Sequence, residues 1–169
     1  MILEILYFMI PVYAANAAPV FFRKVSFLNY PLDFGKKWNG KRILGNHKTF
    51  RGLFFGVLLG IAATFVQSLL GYGSILDYSN WLFLGFLLSF GALFGDAFKS
   101  FFKRRMSIPS GKSFIPFDQI DYTLGSLLFV SFFYDLSLSI WLYALGINFI
   151  VHILANYAGF YMGIRRKIL

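Results

Sequence analysis

The residues best suited to chemistry fall in two short stretches. One begins Gly95-Asp96-Ala97-Phe98-Lys99-Ser100-Phe101-Phe102-Lys103-Arg104-Arg105 and resumes at Pro116-Phe117-Asp118-Gln119-Ile120-Asp121. On a continuing helix, Asp96, Lys99 and Lys103 share a face. Asp118 and Asp121 are three apart and share one too, and Pro116 suits a first helical turn. Carboxylates at a bilayer boundary need a counter-charge, either Lys and Arg or a divalent metal. Oxygen donors without cysteine suit Mg²⁺ or Mn²⁺ rather than zinc. Ion pairs and helix caps are the plainer reading of the same pattern.

The other stretch is Lys41-Arg42-Ile43-Leu44-Gly45-Asn46-His47-Lys48-Thr49-Phe50-Arg51-Gly52. Its donors run straight into an apolar segment that reads as a helix. Cations, hydroxyls and amides at a helix N-terminus suit phosphate oxygens. The spacing is not that of a P-loop. Taken alone, the segment could equally meet anionic lipid headgroups. Within apolar stretches, Asn16 and the Asn148, His152, Asn156 series are polar. Asn16 and Asn156 are expected at similar depth beneath the acids. Hydrogen bonding between helices is the alternative, above all for His152.

Composition says what must position these groups. The chain has 169 residues, is 58% hydrophobic and 21% aromatic, and only 14% of it is charged. Soluble domains carry about 25% charged residues, so an ordinary soluble globule is excluded, and so is disorder. The absence of cysteine excludes disulfides, thiolate metal sites and a cysteine nucleophile. Uncharged stretches at 5–22, 52–70 and 78–95, and a longer one at 122–164 broken by Asp135, match the ~20 residues that a spanning helix needs. The expected fold is an all-α integral membrane protein in one domain. Five transmembrane helices are expected at about 3–22, 52–71, 79–97, 118–135 and 138–163, with functional loops at about 23–51 and 98–117. Runs such as Ile140 to Leu145 do not alternate, which argues against a β-barrel.

All 16 Lys and Arg lie in 23–51, 99–112 and 165–167, and five spans put those segments on one side. The positive-inside rule makes that side cytoplasmic, with the N-terminus outside and the C-terminus inside. No cleaved signal peptide is expected, since no basic residue precedes the first apolar run. Glycines four apart (Gly52, Gly56 and Gly60; Gly91 and Gly95; Gly159 and Gly163) predict close helix packing within the bundle.

Taken together, these stretches resemble the archaeal CDP-archaeol synthase family, within the broader CDP-diacylglycerol synthase-like cytidylyltransferases. The resemblance is carried by Tyr13-Ala14-Ala15-Asn16-Ala17-Ala18-Pro19, by Gly45 to Gly52, by the series from Gly95-Asp96 to Asp118-Gln119-Ile120-Asp121, and by His152-Ile153-Leu154-Ala155-Asn156. Gln119 stands where the diacyl branch has Arg, and that branch's Pro-Gly-His-Gly-Gly stretch is absent. Both departures favour the archaeal branch.

The resemblance implies transfer of CMP from CTP to 2,3-di-O-geranylgeranyl-glycerol 1-phosphate, an isoprenoid glycerol-phosphate lipid, with release of pyrophosphate. It implies Mg²⁺ held by Asp96, Asp118 and Asp121, with Lys99 and Lys103 in the catalytic set. Asn16, Asn46, His47, Lys48, Thr49, Arg51, Arg104 and Asn156 are the expected substrate contacts. The expected setting is the cell membrane, with the site facing the cytoplasm and the bilayer as partner. No nucleic acid is expected, and the sequence leaves the oligomeric state open. A diacylglycerol-type acceptor, a CTP-dependent lipid kinase, and a small transporter or lipid-binding protein remain alternatives. The crowding of charge on one face argues against the transporter.

Overall fold

A computed structural model of the protein describes residues 1–72, 75–109, 112 and 114–161, with the backbone alone at 156 and 159. Six helices carry the fold: α1 (Ile2–Phe8), α2 (Ile10–Phe21), α3 (Phe50–Leu70), α4 (Trp81–Arg105), α5 (Phe117–Ser131) and α6 (Leu138–Tyr161). A short antiparallel hairpin, β1 (Lys37–Trp38) and β2 (Lys41–Arg42), lies in the first loop.

The first apolar stretch is not one straight helix. α1 and α2 meet at Met9 with a 46° bend. Pro11 is the cause, because it has no N–H to donate to the Tyr7 carbonyl one turn back. The Gln67 side chain donates to that carbonyl instead, at 2.5 Å. A backbone acceptor in an apolar setting is thereby satisfied.

Among the described residues, α3, α4 and the 138–155 part of α6 are long and apolar enough to cross a membrane, and the bent pair makes a fourth if it is one span. α5 has 15 residues, about 22 Å at 1.5 Å per residue. It is shorter than the expected 118–135 segment, and its first turn carries Asp118. α4 is longer than expected: it runs past Asp96 to Arg105, carrying Lys99 and Lys103 on one unbroken rod.

Apolar side chains of α1, α2, α4 and α5 form the core, including Ile5, Phe8, Val12, Leu84, Leu88, Leu127 and Val130. Many large apolar residues on the outer faces of α3 and α6 are exposed, such as Leu58, Leu69, Leu142 and Leu154. That is the pattern of helices whose outer face meets lipid.

Glycine sets the closest helix contact. A Cβ on Gly95 would collide with the Asp121 carbonyl oxygen, and one on Gly125 with the Gly91 carbonyl oxygen. α4 and α5 therefore cross backbone to backbone, and Asp121 is carried onto the Asp96 turn of α4. Gly52, Gly56 and Gly60 likewise face Pro19, Leu93 and Ser89. The expected packing role of these glycines is what the bundle shows. Gly163 and the basic end at 165–167 bear expectations outside the described residues, and Gly159 is described by its backbone alone.

The first loop folds on a single carboxylate. Asp33 accepts from the amides of Gly35 (3.0 Å), Leu44 (2.9 Å) and Gly45 (3.1 Å), and from Arg42 Nε (3.2 Å) and Nη2 (2.5 Å). Burial pushes its carboxyl up, but the Arg42 guanidinium and the three amides outweigh that and hold it well below the ordinary carboxylate range. A lowered folded-state value means the stabilisation is complete above the unfolded carboxylate's value and is lost as pH falls through the folded one.

Two outcomes follow. Protection of the Leu44 and Gly45 amides, relative to their intrinsic exchange at each pH, holds down to about pH 4 and falls only below it. Asp33→Asn makes both amides exchange with about 2 kcal/mol less protection at neutral pH. At the helix crossing, Gly125→Ala lowers stability to thermal unfolding in detergent by about 1–3 kcal/mol, the usual range for overpacking. An unchanged Tm for that variant would contradict the backbone contact.

Candidate active site

The acids converge where α4 and α5 cross. Asp96 and Lys99 lie a turn apart on α4, while Asp118 and Asp121 lie a turn apart at the start of α5. Lys99 Nζ is 3.2 Å from Asp96 Oδ1, 2.9 Å from Asp118 Oδ1 and 2.7 Å from Asp121 Oδ2. One ammonium thus ties together all three carboxylates, from two helices.

Two further cations complete the cluster. Lys48, from the first loop, pairs with Asp96 Oδ2. Lys103 sits 3.2 Å from Asp118 and donates to the Lys112 carbonyl at 2.5 Å. Three ammonium groups face three carboxylates, so the cluster is formally neutral. Asp118 also accepts from the Phe114 amide at 2.6 Å, which fixes the entry to α5. Of the two neutralisers open from sequence, the described residues show the lysines.

Asp121 is the most enclosed of the three acids, with its side chain only 5% exposed. Neither of its oxygens accepts a hydrogen bond. Its contact with Lys99 is an ion pair at 2.7 Å that does not meet hydrogen-bond geometry. Buried carboxylate oxygens left without donors are costly, by about 1–3 kcal/mol or more. Among the described residues no group of three or more Asp, Glu or His is placed to hold a metal ion, and Lys99 Nζ contacts all three acids. The donor chemistry still fits a hard divalent cation: oxygen only, anionic, with Asp121 Oδ1 buried and without a partner.

One cavity reaches this cluster at Lys48 and Asp96, and a second lies beyond His47. The larger, about 710 Å³, has Asn16, His47, Lys48, Thr49 and Asp96 at its polar end and Leu53, Phe90, Leu93 and Phe94 among its apolar walls. The smaller, about 420 Å³, is lined by Lys41, Arg42, Asn46, His47, Arg104 and Ser107 among others, with no acid. His47 borders both. Nε of Arg104 is buried without a partner, so this cationic hollow keeps unused donor capacity.

The expected substrate contacts divide accordingly. Asn16, His47, Lys48 and Thr49 gather at the larger cavity, and Asn46 and Arg104 at the smaller. Thr49 also caps α3, its Oγ1 accepting from the Gly52 amide at 3.2 Å. Asn46 accepts from Arg42 at 2.5 Å. Arg51 is turned away from both cavities. Its Nη1 donates to the carbonyls of Arg23 (2.9 Å) and Val25 (2.6 Å), tying the end of α2 to the start of α3. The Asn156 side chain lies outside the described residues. Asn148 accepts from the Tyr13 hydroxyl at 2.5 Å, an interhelical hydrogen bond of the kind expected for these polar groups.

Sequence reasoning passed over Asp33 and Arg105, which shape the loop bearing Asn46 to Thr49. One signal was available: Asp33 is the sole acid among eight Lys and Arg in residues 23–51.

The family model described as CarS-like CDP-archaeol synthase matches residues 1–168. The CDP-archaeol synthase of Pyrobaculum islandicum is 35% identical over 170 residues, covering 98% of this chain and 99% of the relative. That of Thermococcus onnurineus is 38% identical over 161 residues, covering 93% and 91%. A solved intramembrane enzyme for archaeal membrane lipid biosynthesis superposes with a TM-score of 0.78 at 31% identity, over 93% of this chain and 95% of that one. The chain belongs to the CDP-archaeol synthase family.

Proposed function

We propose that this chain transfers CMP from CTP to 2,3-di-O-geranylgeranyl-glycerol 1-phosphate in membrane phospholipid synthesis. A phosphate oxygen of the lipid attacks the α-phosphorus of CTP. The bond from that phosphorus to the bridging oxygen of the β-phosphate breaks, and pyrophosphate leaves with the electron pair. The observation that carries this reading, beside family membership, is the meeting of three carboxylates and three lysines at one helix crossing, at the polar end of an apolar-walled cavity.

The chemistry needs little proton transfer, because the lipid phosphate is already anionic at neutral pH. What opposes reaction is repulsion between two polyanions, and cationic clamping with in-line positioning answers it. Lys99, Lys103 and Arg104 neutralise the triphosphate and the departing pyrophosphate. Asn46, His47 and Lys48 hold nucleotide or phosphate, with Thr49 keeping the α3 N-terminus in place. Asn16 and Asn156 orient either substrate. Asp96, Asp118 and Asp121 would hold Mg²⁺, which when bound supplies Lewis-acid polarisation of the phosphoryl oxygens. Asp121, whose buried oxygens have the Lys99 ammonium as an ion-pair partner and no hydrogen bond, supports that assignment.

The membrane topology belongs to the same proposal. Five spans, with α1 and α2 counted as one and α5 as a short one, put all Lys and Arg on the cytoplasmic side. The lipid phosphate then reaches the acids at headgroup depth, its chains along apolar helix faces, and CTP arrives from the cytoplasm.

Purified protein incubated with labelled CTP, Mg²⁺ and the ether-lipid phosphate is expected to yield CDP-lipid and pyrophosphate. Release of CDP instead would identify a lipid kinase, and equal use of phosphatidic acid would remove the archaeal acceptor. Asp118→Asn and Asp121→Asn, purified and folded, each lower turnover by about a hundredfold or more. EDTA abolishes product formation and added Mg²⁺ restores it. Full turnover in EDTA would remove the metal from the mechanism.

A further inference from the structure

The hairpin β1–β2 stands on the loop that carries Asn46 to Thr49. Its turn, Asn39-Gly40, has positive φ at both residues (49° and 75°), the geometry that closes a two-residue hairpin. Only two residues of each strand pair, and an isolated hairpin is marginal in water at best. Its order must come from an anchor.

Arg105, the last residue of α4, is that anchor. Its Nη1 donates to the Trp38 carbonyl at 2.7 Å. Its Nη2 donates to the carbonyls of Arg42 (2.7 Å) and Lys41 (3.2 Å). The guanidinium carbon lies 5.5 Å from the Trp38 ring centroid and 5.3 Å from that of Phe101, close enough for cation–π attraction to both. Lys41 Nζ returns a hydrogen bond to the Arg105 carbonyl at 3.3 Å and pairs with Ser107 Oγ. Three hairpin carbonyls thus accept from one guanidinium, a fork that an ammonium cannot reproduce.

The line from Arg105 to the site is short. Arg42, whose carbonyl Arg105 holds, grips Asp33 and Asn46 with its own side chain. Asp33 holds the Leu44 and Gly45 amides, three residues before Lys48 and its partner Asp96.

We infer that Arg105 is a positioning residue that locks the hairpin to the end of α4, so that the Asn46–Thr49 segment is already in place when CTP arrives. The inference rests on the reading that this segment holds the nucleotide. Without the fork, the segment is competent only while the hairpin happens to be docked. CTP affinity then falls by the docked fraction, whereas the chemical step after binding is preserved.

The test is a CTP titration of the full-length protein at saturating lipid phosphate, with amide exchange followed at residues 37–42. Arg105→Gln raises the KM for CTP about tenfold with kcat within about twofold, and speeds exchange in the hairpin. Arg105→Lys keeps the charge without the fork and behaves like the Gln variant. A merely structural role would lower kcat through loss of active protein and leave KM alone. An unchanged KM in Arg105→Gln, or full rescue by Arg105→Lys, overturns the inference. Should Arg105→Gln fail to fold, Arg105→Lys is read alone, and an unchanged KM in it overturns the inference. Failure of the wild type to make CDP-lipid would instead defeat the proposed reaction, and the exchange arm would still decide whether Arg105 holds the hairpin.

Discussion

Two helices can place acids from both of them around one cation only if their backbones come nearly into contact. Gly95 and Gly125 allow that contact between α4 and α5. The result is a formally neutral cluster of Asp96, Asp118 and Asp121 with Lys48, Lys99 and Lys103. Three carboxylates without counter-charge at such a depth would repel one another and spread the helices. With the lysines present, the cluster joins the ends of α4 and α5 and the first loop through paired charges. The ion pairs join the two helices, and the glycines set their spacing.

The loop before α3 extends this arrangement. Asp33 closes the loop on itself, Arg51 ties its first residues to α3, and Arg105 fixes its hairpin to α4. Lys48 is then delivered to Asp96 from outside the bundle. A chain segment with hardly any apolar core of its own is held by side chain to backbone hydrogen bonds, most of them from arginine. This use of arginine follows from its planar fork and permanent charge. Eight basic residues in 23–51 therefore serve two ends: some build the loop, and others face the cavities.

Much of this was legible in the sequence because the bilayer restricts what an apolar chain can do. The segregation of Lys and Arg, the helical character, the glycine packing faces and the gathering of Asp96, Asp118 and Asp121 all follow from spacing and charge. The bend at Met9 was less legible, although Pro11 announced a missing donor. Its partner Gln67 is 60 residues from Tyr7, and no periodicity reveals such a pair. The continuation of α4 to Arg105 was hidden because its last ten residues are polar on one face and aromatic on the other. Asp33 with Arg42, and Arg105 with the hairpin, are tertiary pairings; the second joins residues 63 to 67 apart. The substrate role expected for Arg51 could not be told from a structural one, since a cation at a helix start serves phosphate and backbone carbonyls alike.

The account stands on the three carboxylates forming one cation-holding centre at the α4–α5 crossing. Anomalous diffraction from crystals grown with Mn²⁺ and CTP addresses it most directly. The expected result is a manganese peak within bonding distance of carboxylate oxygens of Asp96, Asp118 and Asp121, with phosphate oxygens of CTP in the same shell. A peak bound by other residues, or CTP seated with these acids still paired only to lysine, would contradict it.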